Sequence, residues 1–311
     1  MQAPKPTPDL AYPPEARRWP PEFPLPRAWA WGDDSYGLWM DMQLGGVIER
    51  FRWMEPGEFL MGSPNDEMGR SESEGPQHVV CLTEGFWLAD TACSCKLWRA
   101  YMPQSPIGLT NDELPVVGVN RKDVGEFLTK LQILNSGIRP ELPTEAEWEY
   151  ACRAGKDGPY STGVSLLSEQ ANIGGGQGNM SSKPSAHGVL RVSESGSAGR
   201  AVLPVKSFRP NSVGLYQMHG NVWELCLDGF RQYREGRLED PTGSASGGNC
   251  IARGGASSSP VTDCRSAMRR ILNWTDRFDD VGFRLVIRPN RTTQLIADTV
   301  SVRWSSATRL S

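Results

Sequence analysis

The pattern of apolar and polar residues predicts short strands separated by irregular connections. Residues 47–53 alternate between the two residue types, which predicts a strand. Residues 59–62 follow a Pro56-Gly57 turn and predict a second strand that forms a hairpin with the first. Further strands are predicted at residues 79–83, 213–216, 251–254 and 283–287.

Two stretches, residues 91–102 and 122–135, carry apolar residues at helical spacing. Asn120 is the predicted N-cap of the second helix, because its side chain can accept a hydrogen bond from the first turn. Cys93 and Cys95 lie in the first predicted helix, where residues two apart face different directions. They are therefore interpreted as buried residues rather than as metal ligands.

A capping box predicts a third helix. Thr144 and Glu147 have the required spacing, and the helix is expected to run through Arg153 and to end at Gly155. The first turns carry three carboxylates, whose charge is favourable at the positive end of the helix dipole. These carboxylates are Glu145, Glu147 and Glu149.

Composition divides the chain into three parts. Residues 1–45 are interpreted as a proline-rich arm, because proline blocks helices and disfavours paired strands. Residues 46–288 carry the predicted elements and are interpreted as one domain, with a Gly/Ser-rich connection at 155–202. Residues 289–311 form a C-terminal tail with one alternating stretch, 299–304.

The composition also limits the classes of partner and location. With 33 glycines, 24 prolines and 11 tryptophans in 311 residues, the chain suits a loop-rich domain with an aromatic core. A net charge of −3 gives no electrostatic footprint for nucleic acid, and no apolar run approaches the ~20 residues of a membrane span. The N-terminus lacks a secretory signal pattern, and seven cysteines are an odd number for a disulfide framework. We therefore expect a cytoplasmic protein with reduced cysteines that binds neither nucleic acid nor membranes.

Six sequence words occur in a fixed order. They are Phe59-Leu-Met-Gly-Ser63, Leu142-Pro-Thr-Glu-Ala-Glu-Trp-Glu-Tyr150, Gly214-Leu-Tyr-Gln-Met-His-Gly-Asn-Val-Trp-Glu224, Arg253-Gly-Gly255, Cys264-Arg-Ser-Ala267 and Gly282-Phe-Arg-Leu285. In this order they resemble the formylglycine-generating enzyme, or sulfatase-modifying-factor, family over residues 46–288. The resemblance implies an α+β, C-type-lectin-like fold, rich in loops, with short antiparallel strands and a few helices. It does not imply one activity, because one fold can host several functions.

The resemblance implies an oxidase site made of two cysteines five residues apart, which bind copper(I). Counted forward from Gly254-Gly255, the two positions are Ser259 and Cys264, and counted back from Gly282 neither position is a cysteine. A serine hydroxyl cannot replace a thiolate for copper(I) or for disulfide exchange. Copper is therefore not expected, and Cys264 is interpreted as a small buried residue that remains the one candidate nucleophile.

The resemblance also implies calcium sites. The matching positions for the first are the side chain of Gln217, the carbonyls of Gly220 and Val222, and the carboxylate of Glu224. The alternative is that Glu224 accepts hydrogen bonds from the turn itself. A second site matches Asn172 and Ile173, but Ser197 stands where the family has an aspartate.

The segment 253–285 suggests a binding surface, because aromatic, aliphatic, hydroxyl and acidic residues alternate between fixed words. It is similar to the variable proteins of diversity-generating retroelements, which present many side chains from a C-terminal lectin-like region. The candidate residues are Ala256, Ser257, Ser258, Ser259, Val261, Thr262, Asp263, Met268, Ile271, Leu272, Asn273, Trp274, Phe278, Asp279 and Asp280. The alternative is an ordinary surface loop in which Trp274 and Phe278 are packed.

Sequence reasoning thus favours a non-catalytic protein that binds an unknown protein or small ligand, with calcium as the candidate cofactor. Two alternatives stay open: a copper-dependent formylglycine-generating oxidase acting on a protein cysteine, and a relative of the iron-dependent sulfoxide synthases.

Overall fold

The computed structural model describes residues 19–102, 106–108, 111–174, 201–243 and 248–289. Thirteen strands and three α-helices lie in these ranges. The strands are β1 Ala28–Asp34, β2 Gly37–Leu44, β3 Val47–Met54, β4 Gly57–Met61, β5 His78–Leu82, β6 Phe86–Ala89, β7 Ile138–Glu141, β8 Trp223–Leu225, β9 Arg237–Glu239, β10 Asn249–Arg253, β11 Arg270–Asn273, β12 Val281–Phe283 and β13 Val286–Pro289. The helices are α1 Cys95–Tyr101, α2 Arg121–Leu134 and α3 Glu145–Arg153. The α+β prediction is confirmed.

The largest sheet has six strands in the order β1-β2-β3-β6-β13-β7. Its first two strands lie in the part of the chain that the sequence assigned to a proline-rich arm, so the arm was predicted too long. Leu38, Met40 and Met42 of β2 alternate inward into the core. The side chains of Trp39 and Asp41 alternate with these and lie on the other face of β2, where they are half-buried. In the sheet, Trp39 is paired with Arg52 and Asp41 with Arg50 of β3. The sheet therefore begins at Ala28, well before residue 46.

Two smaller sheets complete the fold, in the orders β11-β10-β8-β12 and β4-β5-β9. The hairpin predicted between β3 and β4 is wrong, because β4 pairs with β5 in a different sheet. The single strand predicted at 283–287 is two strands: β12 pairs with β8, and β13 pairs with β6 and β7. The strand predicted at 213–216 is a turn, with Gly214 at φ +80°.

Capping residues set the helix starts as predicted. Asn120 and Thr144 each form a capping box, and their side chains accept hydrogen bonds from Asp123 and Glu147. The first helix is shorter than predicted. It begins at Cys95 after the N-cap Ser94, so Cys93 lies outside it.

Two buried clusters hold the elements together. On β6, Trp87 points into one cluster and Leu88 into the other, so the central sheet is covered on both faces. In the first cluster, the stacked rings of Trp98 and Phe127 join α1 to α2 at 5.3 Å, and Phe283 of β12 packs against both. Trp148 of α3 belongs to the second cluster.

Three predictions fall outside the described residues. They are the N-terminal part of the proline-rich arm, most of the Gly/Ser-rich connection with Ser197, and the alternating stretch 299–304.

Candidate functional site

Four buried arginines hold the segment 253–284 in place. Each is at most 4% exposed, and each is paired with a buried glutamate from elsewhere in the chain. The pairs are Arg253 with Glu149, Arg265 with Glu74, Arg269 with Glu145, and Arg284 with Glu224. The guanidinium groups also donate to backbone carbonyls, so each arginine fixes several positions of the chain at once.

Arg253 shows how these arginines act. Its Nη1 donates to the carbonyls of Ala267 and Met268 at 2.8 Å, and its Nη2 donates to the carbonyl of Ser266 at 2.8 Å and to Glu149. One side chain at the end of β10 therefore shapes the connection to β11.

The carboxylates of α3 have a role that the helix dipole does not explain. Glu145 binds Arg269 through both oxygens, at 2.6 and 2.9 Å, and Glu147 pairs with Arg288. Glu149 is fully buried between Arg153 and Arg253. Burial alone would raise the pKa of Glu149, but the two arginines hold it below its ordinary value.

The two positions that the family resemblance assigns to copper(I), Ser259 and Cys264, do not suit that ion. The thiol of Cys264 is fully buried, and burial raises its pKa to about 12. Gly255 lies against it so closely that any side chain at 255 would collide with Sγ. Ser259 is 7% exposed, and its hydroxyl accepts a hydrogen bond from the Ala256 amide at 3.0 Å. Cys264 is thus a packed residue here, which corrects its candidacy as a nucleophile.

The only carboxylate in the first predicted calcium set is that of Glu224, and it forms an ion pair with Arg284. Both oxygens of Glu224 accept from Arg284, at 2.8 and 3.0 Å, and one also accepts from the Trp148 indole at 2.7 Å. The Gly220 carbonyl accepts from the Val222 amide at 3.0 Å. Moving Glu224 to a cation would leave Arg284 buried without its counter-charge, which is costly.

Gln217 is occupied in the same way. With its amide nitrogen facing the nearby carbonyls, it donates to Pro204 at 3.1 Å and to Val205 at 2.5 Å, and its oxygen accepts from Asn221. In this arrangement Gln217 and Glu224 are both engaged by other residues, and calcium binding at these positions stays a prediction.

The two residues of the second predicted calcium site, Asn172 and Ile173, also have structural contacts. The Asn172 side chain donates to the Ala201 carbonyl and to the Asn221 side chain, both at 2.9 Å. Ile173 is 7% exposed and packs in a small cluster with Cys264. Across the described ranges, no group of three or more His, Cys, Asp or Glu side chains is arranged to hold a metal ion.

The predicted binding surface is only partly on the surface. Four of its members are buried, which corrects their assignment: Ala256, Ser257, Ser259 and Leu272. Five are half-buried, namely Val261, Thr262, Asp263, Met268 and Asp280, and Asp280 is bound to Arg270. The exposed members are Ser258, Ile271, Asn273, Trp274, Phe278 and Asp279.

Most of the exposed members lie in one turn, residues 273–279, between β11 and β12. Trp274 and Phe278 are 37% and 36% exposed. The Trp274 indole donates to the Asn249 carbonyl at 2.5 Å, and the guanidinium of Arg270 lies 4.6 Å from the Phe278 ring. Both rings are therefore presented in fixed orientations rather than buried.

The start of α2 anchors this turn. The backbone amides of Gly118 and Arg121 donate to the carbonyls of Phe278 and Trp274, and Arg277 pairs with Asp123. Gly118 lies against the half-exposed Ile107. The turn and its surroundings therefore form a supported surface with three large apolar side chains.

Sequence reasoning missed the buried arginines. The one available signal was that Arg253, Arg265 and Arg284 stand inside the sequence words that carry the family resemblance, and those words do not reveal partners far along the chain. The described part of the chain contains no helix long and apolar enough to span a membrane.

Comparison with known proteins supports the fold and the family. Residues 46–289 match the model of the sulfatase-modifying factor enzyme 1-like domain. A formylglycine-generating enzyme of Mus musculus is 32% identical over 217 residues, which cover 67% of this chain and 52% of the mouse protein. One of Streptomyces coelicolor is 40% identical over 118 residues, covering 37% of this chain and 35% of that protein. The chain thus spans about half or less of these relatives.

Among solved structures, the Treponema denticola variable protein 1 has the same fold. Its TM-score is 0.65 at 23% identity, with 81% of this chain and 99% of that protein covered. The order of the sequence words, the sheet arrangement and the match over 46–289 agree, and the chain belongs to the sulfatase-modifying factor enzyme 1-like domain family.

Proposed function

We propose that this protein is a non-catalytic binding protein, whose partner contacts the turn 273–279 on a formylglycine-generating-enzyme-like scaffold. The observation that carries the proposal is the exposure of Trp274 and Phe278 on a turn that is fixed from both sides. Aromatic side chains that are held rigidly in this way are common centres of protein interfaces. The partner class that fits is a protein with an apolar patch.

The state of the cysteine position favours binding over oxidation. An oxidase of this family needs two accessible thiolates, whereas here one position is Ser259 and the other is the buried thiol of Cys264. The four Arg–Glu pairs keep the frame rigid independently of the exposed residues, which is the property a binding scaffold needs.

We expect the purified protein not to convert the cysteine of a sulfatase-motif peptide to formylglycine in the presence of copper and oxygen. The reason is that a hydroxyl and a thiol with a pKa of about 12 cannot bind copper(I) as thiolates. Mass spectrometry of the peptide checks this result. Conversion that disappears in Cys264→Ala would establish the oxidase alternative instead.

We expect Trp274→Ala and Phe278→Ala to weaken partner binding by ~2 kcal/mol or more while changing stability little. Truncating a core aromatic would instead cost ~3–5 kcal/mol of folding free energy. Affinity capture compares each variant with wild type and with Ile133→Ala, which removes a 73% exposed side chain at the end of α2. Denaturant unfolding of the same proteins measures stability.

A partner kept by wild type and Ile133→Ala but lost by both aromatic variants is the expected outcome. A stability loss in the core range for Trp274→Ala would contradict the proposal, and so would retention of every captured partner by both variants.

The finer suggestion is that the turn belongs to a diversified protein. The name of the Treponema structural relative, a variable protein, motivates this suggestion. A reverse transcriptase gene and a template repeat matching the codons of 256–280 next to this gene would support it. A neighbouring sulfatase gene would favour the oxidase alternative.

A further inference from the structure

A cavity of about 320 Å³ opens between residues 161–170 and residues 209–219, and it is separate from the turn 273–279. Ligand pockets in proteins span about 300–1,000 Å³, so this volume suits a small molecule. None of the residues assigned above to a binding or metal site lines it except Gln217, whose amide is turned toward residues 204 and 205.

The cavity has an apolar floor. Leu166, Leu215 and Met218 line it and are at most 7% exposed. These side chains are already packed in the protein, so they can contact an apolar group of a ligand without rearranging.

The polar part of the wall is fixed as well. His219 is buried, and burial lowers its pKa to about 4, although its hydrogen bond to Cys264 opposes the shift. Its Nε2 accepts from the Ser161 amide at 3.0 Å, so Nδ1 carries the proton and donates to the Cys264 carbonyl at 2.8 Å. Asn211 accepts from the amide of Leu215 and donates to Ala151, both at 3.0 Å.

Two opposite charges, those of Arg209 and Glu169, line the cavity. Both residues are exposed, and within the described residues neither makes an ion pair or a side-chain hydrogen bond. A guanidinium group binds a carboxylate through two parallel hydrogen bonds, and a carboxylate accepts hydrogen bonds from an ammonium group.

We propose that this cavity binds a free α-amino acid with an apolar side chain. The side chain lies on Leu166, Leu215 and Met218, the ligand carboxylate binds Arg209, and the ligand ammonium group binds Glu169. This site is independent of the surface proposed above, because it shares no residue with the turn 273–279.

The test uses the full chain and isothermal titration calorimetry with L-leucine and L-phenylalanine as probes. Two further probes each lack one charge: L-leucinamide has no carboxylate, and N-acetyl-L-leucine has no ammonium group. We expect saturable binding of leucine and phenylalanine at millimolar ligand or below. Each truncated probe should bind about tenfold or more weakly, because it loses one charged hydrogen-bonded contact.

Two variants test which cavity residue binds each charged group of the ligand. Arg209→Gln should weaken leucine binding about tenfold but leave leucinamide binding unchanged, because that probe has no carboxylate to lose. Glu169→Gln should weaken leucine in the same way and leave N-acetyl-leucine unchanged. Arg234→Gln and Glu235→Gln, which remove an exposed arginine and an exposed glutamate outside the cavity, are the matched controls.

Absence of saturable binding for both amino acids would overturn the proposal. It would equally fail if the control variants weakened leucine as much as Arg209→Gln and Glu169→Gln do, or if leucinamide bound as tightly as leucine. All four substitutions are at exposed positions, so loss of the fold does not obscure the result.

Discussion

We expect Arg253→Met to lower the free energy of unfolding by about 3–5 kcal/mol, the range seen when one partner of a buried ion pair is removed. Arg253 and Glu149 are both fully buried. Methionine fills much of the space but leaves Glu149 with Arg153 as its remaining guanidinium partner. It also leaves the carbonyls of Ser266 and Ala267 without the donor that they have in the native chain.

Denaturant unfolding at neutral pH measures this loss, and Arg237→Met is the matched control. Arg237 pairs with Glu58 on the surface, where both side chains are about half exposed, and loss of such a pair changes stability little. If Arg253→Met unfolds at the same denaturant concentration as wild type, the buried pair does not hold the frame around 253–284. In that case the rigid frame claimed for the binding scaffold would be wrong as well.

We expect Glu49→Gln to stabilise the protein by an amount that grows with pH. Glu49 lies on β3, is 8% exposed, and has no hydrogen bond or ion pair to its side chain among the described residues. Burial, followed by the charge of Asp90, raises its pKa to about 8. Glu113 adds to the increase, while Lys206 and Lys96 oppose it.

The direction in which stability changes with pH follows from the number of protons bound by the native and the unfolded protein. The unfolded chain releases the Glu49 proton near pH 4.5, whereas the native protein holds it to about pH 8. Between these values the native state binds more protons, so wild-type stability falls as pH rises. Glutamine stays neutral and removes this fall, with a gain on the order of 4 kcal/mol at pH 8 and near zero at pH 4.

Unfolding curves at several pH values between 4 and 9 check the prediction. Glu126→Gln, which removes an exposed carboxylate of α2, serves as the control for the loss of one negative charge. A difference between wild type and Glu49→Gln that does not vary with pH would show that Glu49 is solvated in the folded protein.

Local interactions made some of the structure predictable from the sequence. The N-caps Asn120 and Thr144 were found because a capping residue acts on amides only two or three positions away. Strand β3 was found because apolar and polar residues alternate along the sequence there, although Glu49 and Arg52 are buried as well as Phe51 and Trp53. The fixed order of sequence words identified the family, and with it the α+β fold.

Strand pairing could not be read from the chain, because partners are chosen by contacts between distant segments. Residues 57–61 look like the second half of a hairpin with β3, yet β4 joins β5 and β9 in another sheet. Residues 28–44 follow many prolines and were taken as an arm, although the alternation in β2 places its methionines in the core.

The candidate sites depended on tertiary structure even more strongly. Glu224 has the residue type of a calcium ligand, but folding brings Arg284 to it from 60 positions away. Leu272 and Ser257 lie in a segment that resembles a binding surface, but they are buried, while Trp274 and Phe278 are presented. The sequence by itself determined the family, the capped helices and which residue types were available. Only the folded chain decided which charges neutralise one another and which side chains meet solvent, because burial and ion pairing depend on neighbours that are distant in sequence.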